Sequence, residues 1–366
     1  MKPFDPVVSS YDAGYRESDR SSWNPKAWSR RVWLIIVTVI ILVVAVVVGV
    51  VLGLRASKIN GKLSYPDYSK INYTLIDTYS GTSFFDKFEY SHTYDPDYAK
   101  TYNLTYATAS TAIIRVDTTV GPGSVPDAST GRFSVRLESK AQYGPGLFLF
   151  DVKHTPYGCG TWPALWLTDP NNWPTNGEID IMEAVNQATS GNMVALHTTD
   201  DCTMSDVRRE MSGVAGQGDC HNATNYNTGC NVSAAPATYG PEFNAAGGGI
   251  VAMEWRTEGI RVWVFSRGNG TGSGSGSGSP FPAQGVPDPS TWGSPLADFP
   301  ATSCDIASHF RNQSIIVNID LCGYLTNAVW ESSGCPSNCT DFVANNPSAF
   351  TNAYWEFGAF QVYKAL

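Results

Sequence analysis

Hydrophobic positions follow two unlike patterns along this 366-residue chain. Between Val32 and Leu54 they run almost unbroken, with no charge and no proline, and are nearly all Val, Ile and Leu. As a helix that run reaches roughly 34 Å, enough to cross a hydrocarbon core of about 30 Å. Beyond it the apolar residues come in short runs that alternate with polar ones or are rich in β-branched and aromatic side chains. Clusters of Gly, Pro, Asn and Asp punctuate them. The pattern predicts strands over 112–116, 132–137, 146–152, 161–167, 178–184, 193–198, 249–255, 260–266, 314–321 and 354–362. No long amphipathic helix comes after the apolar run. The expected fold is all-β, a two-sheet sandwich of jelly-roll type preceded by one transmembrane helix.

This divides the chain into a tail (1–31), a membrane span (32–54), a juxtamembrane stalk (55–74) and a β domain (75–366). The Gly/Ser stretch 272–279 reads as a lengthened surface loop, because two strong strand runs after it complete the same sandwich. A cleaved signal peptide is the alternative for the span, but its apolar region is normally about 7–15 residues and lies close to the N-terminus. A retained signal anchor fits better. Lys26, Arg30 and Arg31 precede it and Arg55, Lys58 and Lys62 come after it, a modest bias towards a cytoplasmic N-terminus when Arg16 and Arg20 are added.

Two features agree with that orientation. Seven Asn-x-Ser/Thr sequons, at Asn72, Asn103, Asn222, Asn231, Asn269, Asn312 and Asn338, all lie after the span. So do all eight cysteines, and an even count among sequons reads as disulfides in an oxidising compartment. Metal binding by Cys335 and Cys339 is the competing reading, but no His lies at finger-like spacing. The expectation is a single-pass type II membrane protein whose β domain is extracellular or lumenal and monomeric. Lipid is its partner through Val32–Leu54.

Charge narrows the other partners. The tail holds six basic and four acidic side chains and lacks apolar periodicity, so it is read as disordered. The remainder of the chain, from residue 32 on, carries 18 Lys and Arg against 29 Asp and Glu, a balance of −11. That disfavours nucleic acid and anionic polymers and fits a neutral substrate. There is no His-Glu-x-x-His, no Gly-x-Ser-x-Gly and no phosphate-binding Gly loop, so nucleotide, zinc and serine hydrolase chemistries have no support.

The chemistry concentrates in Glu178-Ile-Asp-Ile-Met-Glu183. On a strand Glu178 and Asp180 share a face, and Glu183 joins them only if a β-bulge adds one residue between. Three acids on one face resist ionising together, which a fold has little reason to keep unless chemistry uses it. Two carboxylates flanking a glycosidic bond are the usual equipment for glycoside hydrolysis, one as nucleophile and one as acid and base. Trp162, Trp166 and Trp173 precede the acids, and Trp255 lies on a later strand. Any of these stacks on a sugar ring or packs in the core; Trp173, between Asn and Pro in a loop, is the best sugar platform. His197 either bonds a carboxylate in the cleft or is a satisfied core histidine.

Taken together, Gly158-Cys-Gly-Thr-Trp-Pro-Ala-Leu-Trp-Leu167, Asn172-Trp-Pro-Thr-Asn-Gly-Glu-Ile-Asp-Ile-Met-Glu183, Val194-Ala-Leu-His-Thr-Thr199 and Met253-Glu-Trp-Arg-Thr-Glu-Gly-Ile-Arg-Val-Trp263 resemble glycoside hydrolase family 16 over roughly residues 75 to 366. The likeness is nearest to its fungal laminarinase-like endo-β-1,3(4)-glucanases. It implies a curved, concanavalin-like jelly roll with an open cleft and a retaining mechanism. In it Glu178 is the nucleophile, Asp180 its supporting acid and Glu183 the acid/base. Trp162, Trp166, Trp173, Trp255 and His197 become substrate-binding candidates. The six-residue acid motif resembles the laminarinase side of the family, not the shorter Glu-x-Asp-x-Glu form.

The substrate implied is a β-1,3-glucan, a mixed β-1,3/1,4-glucan or a branched β-1,3/1,6 wall glucan. No cofactor or catalytic metal is called for, and no sequence feature indicates a structural calcium. The membrane span and the Gly/Ser loop depart from a plain secreted hydrolase and point to work at the cell's own wall. Two other readings stand beside the hydrolase: a cell-wall transglycosylase using the same carboxylates, and a non-catalytic glucan-binding protein. Retention of all three acids argues against the last.

Overall fold

The apolar run forms α1 (Arg30–Leu63), whose side chains from Val32 to Leu54 are mostly exposed. The stretch Arg30–Arg55 is long and apolar enough to cross a membrane. The computed structural model describes residues 28–90, 103–124, 131–268 and 286–366. The Gly/Ser stretch 272–279, Asn269 and nearly all of the tail lie outside them.

The chain divides into a unit ending at Ile59 and a β unit from Asn60 to Leu366. The strands of the β unit are β1 (Tyr73–Tyr79), β2 (Phe88–Tyr90), β3 (Thr105–Ala107), β4 (Ala112–Arg115), β5 (Arg136–Tyr143), β6 (Gly146–His154), β7 (Thr161–Thr168) and β8 (Glu178–Glu183). They continue as β9 (Met193–His197), β10 (Val214–Ala215), β11 (Cys230–Ser233), β12 (Gly249–Arg256), β13 (Gly259–Ser266), β14 (Ala297–Pro300), β15 (Gln313–Leu321) and β16 (Tyr354–Ala365). Two antiparallel sheets result. One runs β14-β13-β12-β6-β16-β4-β3 with β1 added beside β16; the other runs β10-β11-β9-β8-β7-β15-β5-β2. All ten expected strands are present. β5 starts four residues later than expected because Arg132 is drawn away to bond Asp117 and the carbonyl of Val343.

The main core lies between the sheets. Phe148, Phe150, Val251, Met253, Val262 and Val264 come from the first sheet; Leu165, Leu167, Ile179, Ile315 and Val317 come from the second. The middle of the first sheet is buried on its other face as well, where Leu147, Leu149, Ile250, Ala252, Trp263 and Phe265 pack beneath Trp292. Strands buried on both sides read as unbroken apolar runs, so alternation does not reveal which face a residue takes.

Trp255 corrects an expectation for that reason. It shares a face with Val251 and Met253, is 1% exposed and belongs to the core, not to a sugar site. The stalk also needs correction. Residues 64–70 do not stand free of the β unit. The Tyr65 hydroxyl donates to Asp298 at 3.0 Å, Tyr68 lies under the Arg261 guanidinium at 4.0 Å, and Arg256 donates to the Ser69 carbonyl at 2.9 Å.

All eight cysteines are paired, as Cys159–Cys335, Cys202–Cys304, Cys220–Cys230 and Cys322–Cys339. Cys335 and Cys339 therefore go to different partners, which removes the metal-binding alternative. Of the sequons, Asn231 is buried, and only 7% of it is exposed. A Cβ placed on Gly216 would come within 2.0 Å of its side-chain oxygen. That position leaves no room for a glycan. Asn72, Asn103, Asn312 and Asn338 are exposed and Asn222 is half-buried.

Candidate active site

Strand β8 carries the acids, and its neighbours show how it presents them. Trp166 pairs with Asp180 and Leu165 with Met182, so Ile181 is the extra residue of a β-bulge; the ladder to β9 slips in the same place. Ile181 and Met182 both enter the core. That double inward step returns Glu183 to the outward face beside Glu178 and Asp180. Although they face outward, Asp180 and Glu183 are buried. The Trp162 indole on β7 lies against Glu183 and the His197 ring on β9 against Asp180.

Each acid has its own polar partner. The Trp173 indole N–H donates to Glu178 Oε2 from the loop between β7 and β8. The Trp162 indole N–H donates to Glu183 Oε1 at 2.6 Å from β7. His197 Nε2 lies 3.1 Å from Asp180 Oδ2, and its Nδ1 lies 3.0 Å from Asn227 Oδ1. Gly229 lets that loop approach: a Cβ there would stand 2.9 Å from the His197 ring and 2.5 Å from the Leu196 carbonyl. Trp166 donates to Asn318 Oδ1 at 2.7 Å and has the Arg136 guanidinium 4.8 Å from its ring.

Electrostatics follows from crowding and burial. Burial raises Glu178, with the Asp180 charge adding to it, while His197 and the Trp173 N–H pull the other way. Burial also raises Asp180, against the hydrogen bond and charge of His197, and raises Glu183, against the Trp162 N–H. Glu178 and Asp180 lie close enough that the charge on Asp180 raises the proton affinity of Glu178. Burial alone would lower His197, but Asp180, backed by Glu178 and Glu183, lifts it to about 10. The imidazolium is thus the countercharge of the cluster, and the carboxyls above it retain protons that free carboxyls would lose.

Glu178, Asp180 and His197 have ligating atoms within 4.8 Å of one another, a spacing a cation would accept. In this structure the closeness of the trio is met by the hydrogen bond between His197 and Asp180.

The arrangement brings together Glu178, Asp180, Glu183, Trp162, Trp166, Trp173 and His197, and leaves Trp255 in the core. Trp173 is 43% exposed, open enough to meet a ligand. Asn318 and Arg136 on β15 and β5, and Asn227 beside His197, were not singled out from sequence. Strand alternation carried the signal for Asn318, which lies on the face opposite to core residues Val317 and Ile319.

A family model described as the XgeA-like catalytic domain of glycoside hydrolase family 16 matches residues 89–363. The chain is 41% identical over 82% of its length to a Schizosaccharomyces pombe protein named a probable glycosidase, and spans 71% of that protein. It is similar in structure to laminarinase 16A from Phanerochaete chrysosporium, solved with β-glucans in donor and acceptor sites. The TM-score is 0.72 at 40% identity, covering 80% of this chain and 99% of that one. An elongating family 16 β-1,3-glucosyltransferase gives a TM-score of 0.68 at 34% identity, covering 80% of this chain and all of that one. The chain spans less than half the length of the Aspergillus relatives named probable endo-1,3(4)-beta-glucanases that it matches. With its bulged acid strand, its two-sheet sandwich and a family match over most of its length, the chain belongs to glycoside hydrolase family 16.

Proposed function

We propose that this protein is a retaining, endo-acting β-glucanase that cleaves β-1,3-glucan and its mixed or branched forms. One observation carries the reading: the bulge at Ile181–Met182 returns Glu183 to the face of Glu178, and a separate indole N–H holds each of the two. Glu178 attacks the anomeric carbon in its carboxylate form, which the His197 charge and the Trp173 N–H favour against burial and the Asp180 charge. Glu183, kept protonated by burial, meanwhile gives its proton to the departing glycosidic oxygen. The resulting glycosyl ester on Glu178 is then cleaved by a water that Glu183 deprotonates. Asp180 and His197 position Glu178 and balance its charge. Trp173, Trp166 and Trp162 offer aromatic faces beside the acids for pyranose rings. This chemistry requires no cofactor.

The test is to follow anomeric configuration by NMR during cleavage of laminarin, alongside the variant E178Q. Retention in the wild type, with turnover lost and folding kept in the variant, is the expected result. Inverted products or substantial E178Q activity would refute the assignment. Transglycosylation is a second reading, favoured by the likeness to the elongating glucosyltransferase. Products longer than the starting laminari-oligosaccharide would establish it, because the same carboxylates serve an incoming sugar or water.

The placement rests on the other features. Four disulfides and a 26-residue apolar stretch near the N-terminus support a type II anchor, with the β unit extracellular or lumenal. Protease protection of the β unit in sealed vesicles is the expected outcome, and digestion without detergent would reverse the topology.

A further inference from the structure

Two exposed tyrosines face each other above the acid strand. Tyr226 is 85% exposed and Tyr324 59% exposed, yet their rings stack with centroids 6.2 Å apart at 26°. They come from opposite ends of the strands. The loop 225–229 leads into β11 where Cys230 pairs with Leu196, the end at which His197 faces Glu178. Tyr324 lies just past the end of β15, where Leu321 pairs with Thr161 and Asp320 with Trp162, beyond the Glu183 end of β8. The Tyr226 loop is fixed to His197 on β9 through Asn227, and Gly323 lies against the Trp162 ring on β7. Strand β8 lies between β9 and β7, so the ring pair arches over the strand that holds Glu178, Asp180 and Glu183.

Local structure is strained to place these rings. Asn225, Tyr226 and Asn227 take φ of 48°, 57° and 58° in succession, a left-handed run that is costly for non-glycine residues. Neither ring is repaid by burial. Gly323 (φ 103°) allows close approach, since a Cβ would stand 3.1 Å from the Trp162 ring. Both loops are also closed by disulfides, Cys220–Cys230 around Tyr226 and Cys322–Cys339 around Tyr324. Two stiffened loops that present stacked, solvent-facing rings across the acid strand make a preorganised binding element.

We infer that Tyr226 and Tyr324 form a clamp that holds a β-glucan chain over the acid strand, fixing the sugar units that flank the scissile bond. The inference rests on the glucanase reading of the acids. It makes the two tyrosines binding residues that act as one unit and grip through their ring faces, not their hydroxyls.

The experiment uses the turnover-blocked E178Q protein and laminarihexaose, with binding read by calorimetry. Adding Y226A or Y324A should weaken the Kd about tenfold each. The double variant should be little weaker than either single one, because the rings work together. Y226F and Y324F should bind like the parent. In the active protein the alanine variants should raise KM for laminarin far more than they lower kcat. Unchanged or tighter binding in the alanine variants would overturn the clamp and make the arch a mere barrier. Equal losses in the phenylalanine variants would overturn the ring-face grip. If E178Q binds no β-1,3-glucan and the wild type cleaves none, the glucanase reading falls and takes the clamp with it. Glucan binding that ignores both rings sinks the clamp alone.

Discussion

His197 stands directly opposite Glu178 across the β8–β9 ladder, yet its Nε2 proton goes to Asp180, 3.1 Å away. The imidazolium thereby serves two acids, bonding one and neutralising the other through space. Its pKa, raised from the usual 6.5 to about 10, makes a stability prediction of definite sign. The folded state holds this proton more tightly than the unfolded chain. The contribution is therefore complete below about pH 6.5 and disappears as pH climbs through about 10. H197Q should lower Tm by about 5–10 °C at pH 6, as expected when a buried ion pair loses one partner. The two melting curves should converge towards pH 10. A constant gap from pH 6 to 10 would mean that the ring is neutral and acts only by packing.

Trp162 sets the proton affinity of Glu183. Its indole N–H, 2.6 Å from Oε1, favours the carboxylate, whereas burial favours the acid. W162F removes the donor and keeps an aromatic ring, so Glu183 should hold its proton to higher pH. The basic limb of the kcat/KM profile should move up by about one pH unit, the worth of a hydrogen bond to a charged group. An unmoved basic limb would show that Glu183 is not the group that must be protonated.

Much of this was legible in the sequence because its signals are local. The apolar run of α1, the ten core strands and the bulge were readable from periodicity. The bulge in particular follows from parity, since three acids at 178, 180 and 183 share a face only with one residue added. Strands β2, β3, β10, β11 and β14 were missed because two to four residues show little period, and β1 because burial along its seven residues does not alternate. Trp255 was misplaced because β12 is apolar on both faces. Tyr226 and Tyr324 meet through loops 98 positions apart, and no pattern in either loop announces the other.

Burial also sorts the sequons. Asn231 faces Gly216 within the sheet, whereas Asn72, Asn103 and Asn312 are open to solvent. If the β unit enters the secretory pathway as proposed, site mapping by mass spectrometry should find glycan on the exposed positions and none on Asn231. An occupied Asn231 would show that β11 is added to its sheet only after modification.

The segment assigned to a stalk should prove to be part of the fold. Ser64 accepts a hydrogen bond from Thr302, Tyr65 and Tyr68 both donate to the buried Asp298, and Lys70 pairs with Asp288 at 2.9 Å. Tyr73 donates to Glu254 at 2.7 Å, the carboxylate that also binds Arg261. A soluble chain starting at Leu75 strips those donors from Asp298 and Glu254, two acids with almost no access to water. Compared with a chain starting at Ser64, it should lose several kcal/mol, roughly 10 °C or more in Tm. Y68A alone should cost about 1–3 kcal/mol, through the ring under Arg261 and the hydroxyl on Asp298. These contacts lie on the first sheet and the acids on the second, so kcat/KM at 25 °C should change far less than Tm. Equal melting of the two chains would return residues 64–74 to the role of a spacer.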